Sequence, residues 1–417
     1  MKHKHRTCVT VLCLMCSVST LHAETVASNT KGWPQWRGPA RDGQVHGHGE
    51  WPGNLKNVKE AWRVELGPSY SGPIIGNGMV FVTETKDRKE EVVRAFDRAT
   101  GKEKWQHKWD GAMSVPFFAK ANGDWIRATP AFDGETLFVA GMLDMLVAID
   151  ANSGKQKWSI DFPAKYKTQN PPFGFVCSPL VTDDAVYVQV ADSLVKINKT
   201  DGEVLWRSLA SSGGMQSSAF SSPVIATLHG QEQLLVQTRQ TLHGIDMASG
   251  ESLWSVDVPA FRGMNILTPT VYKDGILTST HRNATYFYQV SRDGNDWSVK
   301  EKWQNKGKGY MSSPIMIGKH GYLHLGNGRL SCLDCETGDE LWRSDSFGKY
   351  WSMIANRDKM LALSDEGELL LIKHDPEKFN LLDKIKIADQ PTWGHIAIDK
   401  QGILVRELEA ITALTWE

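Results

Sequence analysis

The sequence predicts an all-β fold in which one unit is repeated around a ring. Tryptophan is unusually common, with 16 residues against 14 Phe and 9 Tyr in a chain of 417. Seven of them recur at a mean spacing of about 47 residues, within the range of four-stranded propeller blades. These are Trp62, Trp105, Trp158, Trp206, Trp254, Trp303 and Trp342. The composition, 41% hydrophobic and 23% charged, is that of a globular protein.

Each unit reads as four strands with a recognisable signature. Ser or Thr followed by Pro opens the first strand, where Pro removes no hydrogen-bond donor from the sheet. The third strand ends in an Asp-x-x-Thr-Gly turn, in which Asp accepts backbone N–H groups and Gly supplies a positive φ. The turn recurs, with substitutions, at residues 97–101, 150–154, 198–202, 246–250 and 334–338. The fourth strand carries the Trp, which we expect to fill the wedge between neighbouring blades.

The signature predicts eight blades. Six are complete and end at the Trp residues from Trp105 to Trp342, and a degenerate seventh occupies residues 352–383. Residues 396–414 then supply three strands only, whereas residues 58–64 look like an outer strand without a blade. We therefore predict an eight-bladed β-propeller of four-stranded antiparallel blades, closed by an N-terminal strand in the last blade. Closure removes exposed sheet edges.

The repeat resembles the pyrroloquinoline-quinone-like propeller family of secreted bacterial proteins. The matching unit, Ala-x-Asp-x-x-Thr-Gly-Lys-x-x-Trp, is nearly complete at residues 95–105 and 148–158, and the resemblance covers about residues 55–416. The Trp-Pro-Gln-Trp-Arg-Gly-Pro segment at residues 33–39 looks like the leader that precedes such propellers. These motifs identify a fold, and one fold hosts unrelated functions.

The resemblance implies two functions of different classes. In quinoprotein alcohol and glucose dehydrogenases the propeller holds pyrroloquinoline quinone (PQQ) and a calcium ion on its axis. In the propeller subunit of the outer-membrane protein assembly machinery there is no cofactor, and the loops bind a protein. This sequence lacks the adjacent Cys pair of the alcohol dehydrogenases and their long insertions. We therefore expect a non-catalytic scaffold without a cofactor, with a PQQ- and calcium-dependent oxidoreductase as the alternative.

The N-terminal region predicts export and a three-part organisation. Residues 1–23 combine a basic start, a short apolar run and a small-residue cleavage site, which is typical of a signal peptide. Met15 before Cys16 argues against a lipid-attachment site. Residues 24–54 form a leader, and residues 55–417 the propeller. We expect a secreted, periplasmic or envelope-associated protein, and we expect the propeller to be monomeric.

Charge and hydropathy exclude two partner classes. The formal net charge is −1, with no basic excess of the kind that nucleic-acid binding requires. After the signal peptide no apolar run reaches the roughly 18 residues of a membrane span. The resemblance to the propeller subunit of the assembly machinery implies a protein partner in the cell envelope.

The candidate site is the face on which the loops entering each blade meet the loops between second and third strands. The entering loops carry aromatic residues suited to a peptide, a glycan or a planar ligand, or to plugging the channel: Tyr70, Phe175, Phe220, Tyr310, Tyr350, Trp351 and Trp393. The other loops offer a mixed polar rim that is typical of protein contacts: Asp192, Arg239, His281, Arg282, Arg329, Asp365, Arg406 and Glu407. The two longest entering loops add Phe117, Phe118 and Phe173, which with Phe175 are candidate partner contacts.

Two weaker motifs are best explained by the fold. Cys332 and Cys335 have redox-motif spacing, but they occupy ordinary repeat positions around a turn. They would supply half of a zinc site at most. A local disulfide between them is the alternative that the sequence leaves open. His46 and His48 lie in a Gly-rich leader and give only a weak metal signal. The chain has no local catalytic motif, and we assign no catalytic or metal-binding residue.

Overall fold

A computed structural model describes residues 32–47, 49–211, 213–214 and 219–416. The predicted signal peptide at residues 1–23, residues 24–31 of the leader, and His48 lie outside this described part. Eight antiparallel four-stranded blades form a ring, which confirms the predicted propeller, and the sheet of blade 1 has a fifth strand from the leader. In every blade the first strand lies nearest the axis and the fourth lies outermost.

The strands of the first four blades follow the repeat closely. From the axis outward they are Ile74–Gly76, Met79–Lys86, Glu90–Asp97 and Glu103–Asp110 in blade 1; Ala131–Phe132, Thr136–Gly141, Met145–Asp150 and Gln156–Asp161 in blade 2; Leu180–Val181, Ala185–Val190, Ser193–Asn198 and Val204–Ser208 in blade 3; and Val224–Leu228, Gln231–Gln237, Thr241–Ile245 and Ser252–Asp257 in blade 4.

The remaining blades include the degenerate seventh. Their strands are Thr270–Tyr272, Gly275–Ser279, Thr285–Asp293 and Asp296–Asn305 in blade 5; Ile315–Ile317, His320–His324, Arg329–Asp334 and Glu340–Ser346 in blade 6; Trp351–Asn356, Lys359–Ser364, Glu368–Lys373 and Asn380–Lys386 in blade 7; and Ala397–Asp399, Gly402–Arg406, Ala410–Thr415 and Lys59–Glu65 in blade 8. Short helical segments lie only in entering loops among the described residues: Phe117–Asn122, Phe162–Tyr166 and Phe261–Gly263.

The ring closes as the sequence predicts. Lys59–Glu65 pairs antiparallel with Ala410–Thr415, so the outer strand of blade 8 comes from the N-terminal part of the chain. The second and third strands are buried on both faces in most blades, because each blade packs against two neighbours. The core is therefore a set of apolar clusters between blades, rich in Val, Ile, Leu and Ala.

The repeated Trp connects a blade to the next at six of the eight junctions. Trp105 donates its Nε1–H to the carbonyl of Ala151, at 2.8 Å, in the turn that follows the third strand of blade 2. The ring also covers Gly154, where φ is +72° and an added Cβ would lie 2.7 Å from the indole. Trp62, Trp158, Trp206, Trp303 and Trp342 make the equivalent hydrogen bond. The Trp and the turn are thus two halves of one contact.

Trp254 departs from this pattern for a local reason. Blade 5 joins its third and fourth strands by a long hairpin around Gly294 instead of the Asp-x-x-Thr-Gly turn. The indole of Trp254 therefore donates to Gln233 Oε1 of its own blade, at 2.7 Å.

Hydroxyl groups at the strand starts connect the blades near the axis. The N–H of Gly72 donates to Thr129, the N–H of Thr129 to Ser178, and the N–H of Ser178 to Ser222, each at 2.9–3.0 Å. The N–H of Thr268 donates to Ser313 in the same way, at 3.0 Å. The Ser or Thr before each Pro is therefore an acceptor for the preceding blade.

The leader crosses the axis of the ring. Gly32–Trp33 adds a strand to the inner edge of blade 1, and the carbonyl of Pro34 accepts the N–H of Phe132 in blade 2. Ten residues later, Gly43 and Val45 exchange backbone hydrogen bonds with Ala355 in blade 7. Blades on opposite sides of the ring are thus connected by one short segment.

Two buried arginines fix this crossing. Arg41 donates to the carbonyls of Pro179, at 2.5 Å, and Ser178, at 3.0 Å, in blade 3. Arg37 donates to the carbonyl of Pro314 in blade 6, at 2.5 Å. Burial lowers the pKa of both guanidinium groups to about 10, so they stay charged at neutral pH. The leader then runs between blades 7 and 8 to its outer strand, with Trp51 packed on Trp416.

We expect the variant Arg37→Ala/Arg41→Ala to lose about 3 kcal/mol of unfolding free energy, because buried carbonyls lose charged hydrogen-bond donors. Urea denaturation followed by Trp fluorescence measures the loss. Arg292→Ala, on the exposed hairpin of blade 5, is the control and should change stability little. A double variant as stable as the parent would show that the axial crossing adds nothing to the fold.

Candidate functional site

A cavity of about 680 Å³ opens at the centre of the face that bears the entering loops. Residues from the entering loops of all eight blades line it, and Trp36 of the leader contributes from below. Its aromatic lining is Trp36, Tyr70, Phe118, Phe173, Phe220, Phe261, Tyr310, Tyr350 and Trp393. We call this space the funnel cavity; its volume lies within the range of about 300–1,000 Å³ that is usual for ligand sites.

Two rows of rings form its walls. In the first, Trp393 stacks on Tyr350 with an interplanar angle of 3°, and its centroid also lies 5.5 Å from that of Tyr70. The second row runs from the rim inward through four rings with centroids 5.6–6.2 Å apart: Phe117, Phe118, Phe173 and Phe220. It ends at the guanidinium of Arg239, 4.4 Å from the centroid of Phe220. Both rows leave ring faces and edges available for apolar contact.

The charged groups that line the cavity are all arginines among the described residues. Arg127 donates to the carbonyls of Trp125 and Gly123, and burial lowers its pKa to about 10. Arg239 donates to the carbonyls of Gly263 and Arg262, and burial lowers its pKa to about 10 as well. Arg262 is exposed on the rim, and no Asp or Glu is part of the described lining. The cavity is therefore cationic.

Among the described lining residues, only His395 has a side chain whose ordinary pKa lies near neutral pH. Its ring meets Trp36 edge to face, with centroids 5.8 Å apart. Burial, with the nearby charge of Arg37, lowers its pKa to about 3. The imidazole is therefore neutral at physiological pH and adds no charge to the floor.

Six of the predicted site residues line the funnel cavity together: Tyr70, Phe220, Tyr310, Tyr350, Trp393 and Arg239. Three others do not reach it. Phe175 lies in the core between blades 2 and 3, and Trp351 stacks on His324 inside blades 6 and 7. Arg406 is fully buried and donates to backbone carbonyls, including those of Leu408 and Ala410 at 3.0 Å.

These three residues were expected at the funnel, but their side chains are buried, each for a local reason. Side chains alternate between the two sides of an extended chain, so Tyr350 and Trp351 point in opposite directions. Phe173 and Phe175 are separated by a turn at Gly174, where φ is +76°. Arg406 ends a strand that is buried throughout, and backbone carbonyls there replace solvent.

The other rim residues are spread around the face. Arg282 lies beside a second cavity, with its guanidinium 5.0 Å from the ring of Phe261. Arg329 donates to the carbonyl of Ser344 and lines neither cavity. Asp365 accepts the N–H of Lys349, and Glu407 pairs with Arg63. These two carboxylates stabilise loops and strands.

Sequence reasoning missed several lining residues, among them Trp36, Arg127, Arg262 and the aromatic Phe261. Trp36 belongs to the leader, whose role was left open, and its Trp-Pro-Gln-Trp motif was the available signal. Arg127 and Arg262 lie in entering loops that were searched for aromatic residues only. A search of the same loops for basic residues would have found both.

The cavity does not fit calcium-bound PQQ. Calcium takes oxygen ligands, above all carboxylates, and the described lining contains no carboxylate. Within the described ranges, no cluster of three His, Cys, Asp or Glu residues could hold a metal ion. We therefore derive no redox step at this site.

Cys332 and Cys335 are both buried as free thiols, so the local disulfide is not formed.

Two buried carboxyl groups connect blades on the same face. Glu91 accepts the N–H of Met142 at 2.9 Å and the indole N–H of Trp109 at 3.0 Å, yet burial raises its pKa from 4.5 to about 8. Asp144 accepts the N–H of Ala191 at 2.9 Å, and burial raises its pKa from 3.8 to about 7. Both carboxyl groups thus hold their proton more tightly in the folded state than in the unfolded chain.

The sequence model of the family named outer membrane protein assembly factor BamB matches residues 54–120 and 88–344. The chain belongs to this family. The match covers most of the blades, and it agrees with the resemblance of the repeat to propellers of the PQQ-like type. In the described part of the structure, no helix is both long and apolar enough to span a bilayer.

Curated relatives match parts of the chain. Outer membrane protein assembly factor BamB of Yersinia pestis is 21% identical over 259 residues, which are 59% of this chain and 63% of that protein. Serine/threonine-protein kinase AfsK of Streptomyces griseus is 28% identical over 157 residues, which are 36% of this chain and 18% of the kinase. The chain thus spans less than two thirds of the length of either relative.

Solved structures share the fold. The crystal structure of BamB from Moraxella catarrhalis has a TM-score of 0.63 at 11% identity and covers 86% of this chain and 98% of its own. A quinohemoprotein alcohol dehydrogenase from Pseudomonas putida HK5 has a TM-score of 0.54 at 12% identity and covers 92% of this chain and 80% of its own. At such identities the likeness extends to architecture alone.

The raised pKa of Glu91 predicts a pH-dependent stability. The unfolded chain releases this proton near pH 4.5 and the folded chain near pH 8, so unfolding free energy falls as pH rises between those values. We expect Glu91→Gln, which stays uncharged, to reduce this fall by a few kcal/mol, as measured by denaturant titrations from pH 5 to 8.5. Glu232→Gln, at an exposed position, is the control. An unchanged slope in Glu91→Gln would contradict the prediction.

Proposed function

We propose that this chain is a non-catalytic scaffold of the cell envelope that binds a protein partner on its funnel face. The name of its family gives related proteins a role in outer membrane protein assembly, which we extend to this chain. The predicted signal peptide supports export to the compartment where such a role is possible. The rigid ring would present its eight entering loops as one recognition surface.

The observation that carries this proposal is the exposed end of the aromatic row. Phe117 is 84% exposed and Phe118 is 56% exposed, and both lie on a short helical segment in a long entering loop. Large apolar side chains in such positions are typical of partner contacts. Because the row continues into the cavity through Phe173, rim and interior form one apolar surface.

The oxidoreductase alternative has less support. The similarity to a quinohemoprotein dehydrogenase is one of architecture, and the described lining of the cavity offers calcium no carboxylate. A titration with PQQ and calcium, following quinone absorbance and reduction of an artificial electron acceptor with alcohols and sugars, tests it. Stoichiometric binding with dye reduction would replace the scaffold proposal by an enzyme.

We expect Phe117→Ser/Phe118→Ser to reduce partner capture at least tenfold while the melting temperature stays within about 2 °C, because exposed side chains contribute little to stability. The measurement is photo-crosslinking in cells of the host, from a photoreactive residue at position 122 beside the row, with mass spectrometry of the adducts. The Phe175→Ser variant is excluded from the test, because this buried ring belongs to the core.

Leu205→Ser/Leu341→Ser is the matched control. These two leucines are also exposed, but they lie on outer strands away from the funnel. Equal losses of crosslinking in both double variants, or none in either, would exclude the funnel face as the partner surface.

A further inference from the structure

The funnel cavity ends blindly. Trp36 forms its floor together with His395. On either side of Trp36, the carbonyl of Pro34 accepts a hydrogen bond from blade 2, and the side chain of Arg37 donates one to blade 6. A ligand that enters from the funnel face therefore cannot pass along the axis. A bound chain would have to enter as a terminus or as a tight turn.

The wall has a single sign of charge. Arg127 and Arg239 are partly desolvated, Arg262 stands on the rim, and the described lining contains no carboxylate. Asp124 lies near Arg127 but is not part of that lining. Because desolvated guanidinium groups gain most from an anionic partner, a carboxylate is the favoured polar group of the ligand. Sugar hydroxyls would find fewer partners, since Asn122 is the only amide side chain among the lining residues that the structure describes.

The apolar surface continues beyond the cavity. Phe118 and Phe261 line it and are at the same time 56% and 40% exposed at its mouth. A ligand that covered both the interior and the rim would be longer than the cavity is deep. This favours a peptide segment over a small planar molecule.

We infer that the funnel cavity binds an acidic peptide segment of the partner that carries at least one aromatic side chain, and that the segment enters by its end or as a turn. The inference rests on the proposed function and specifies the chemistry of the partner. The aromatic side chain packs between the two rows of rings, and the carboxylates pair with the arginines. A free carboxyl terminus and acidic side chains are the two sources of this charge.

Fluorescence anisotropy with labelled peptides tests the inference on the purified protein. The probe is a ten-residue Gly/Ser peptide with a Glu-Phe-Asp-Trp core, compared with one that has Lys for both acidic residues and one that has Ala for both aromatic residues. We expect each changed peptide to bind at least tenfold more weakly than the probe, and added salt to weaken the probe. An amidated probe and a cyclic probe separate the terminal carboxylate from side-chain carboxylates.

A charge reversal in the protein provides the matched comparison. We expect Arg262→Glu to weaken the probe at least tenfold, because the residue is exposed and the change should leave the fold intact. Arg262→Lys should stay within about threefold, and Arg292→Glu, which alters net charge equally on a distant hairpin, should bind as the parent does. Melting temperatures of all three variants verify folding.

Equal binding of the acidic and basic peptides, or equal effects of Arg262→Glu and Arg292→Glu, would overturn the inference. So would displacement of the probe by PQQ at lower concentrations than any peptide requires. Partner crosslinking that depends on Phe117 and Phe118 without peptide binding would remove this inference and leave the scaffold proposal intact. Peptide binding without that crosslinking would support this inference about the cavity and contradict the scaffold proposal.

Discussion

The contact between a Trp and the turn of the next blade is the interaction on which the ring depends. An indole such as that of Trp105 covers a glycine that cannot bear a side chain, and its N–H satisfies a carbonyl beside it. The repeat of this contact sets the angle between neighbouring blades and thus the width of the central channel. The funnel cavity exists because eight entering loops are held at that distance from one axis. Trp254 bonds within its own blade, and the outer strand of blade 7 has no Trp, so the ring tolerates two exceptions.

Most of the fold could be predicted because the repeat encodes local structure. Turn residues, strand starts and the outer Trp each have a fixed place in the unit, so the eight blades and the closing strand followed from counting them. The path of the leader could not be predicted in this way. Arg37 and Arg41 donate to backbone carbonyls, and a carbonyl leaves no signature in the sequence of its partner.

The candidate site was predictable in kind and only partly in detail. Loop direction placed an aromatic surface on one face, and Tyr70, Phe220, Tyr310, Tyr350 and Trp393 do line the cavity. Whether a loop residue points inward depends on one backbone step, as the pair Tyr350 and Trp351 demonstrates. The cationic character of the wall arises from residues on separate loops. It becomes visible only when the ring brings them together.

The axial course of the leader also constrains the order in which the molecule can fold. Arg37 contacts Pro314, 277 positions away, and Thr415 lies 356 positions from its partner Lys59. Synthesis proceeds from the N-terminus, so these early residues remain without their final partners until the last blades have been made. Such non-local pairings slow folding. Completion of the ring and insertion of its central segment therefore belong to the final stage of folding, after the whole chain has been delivered.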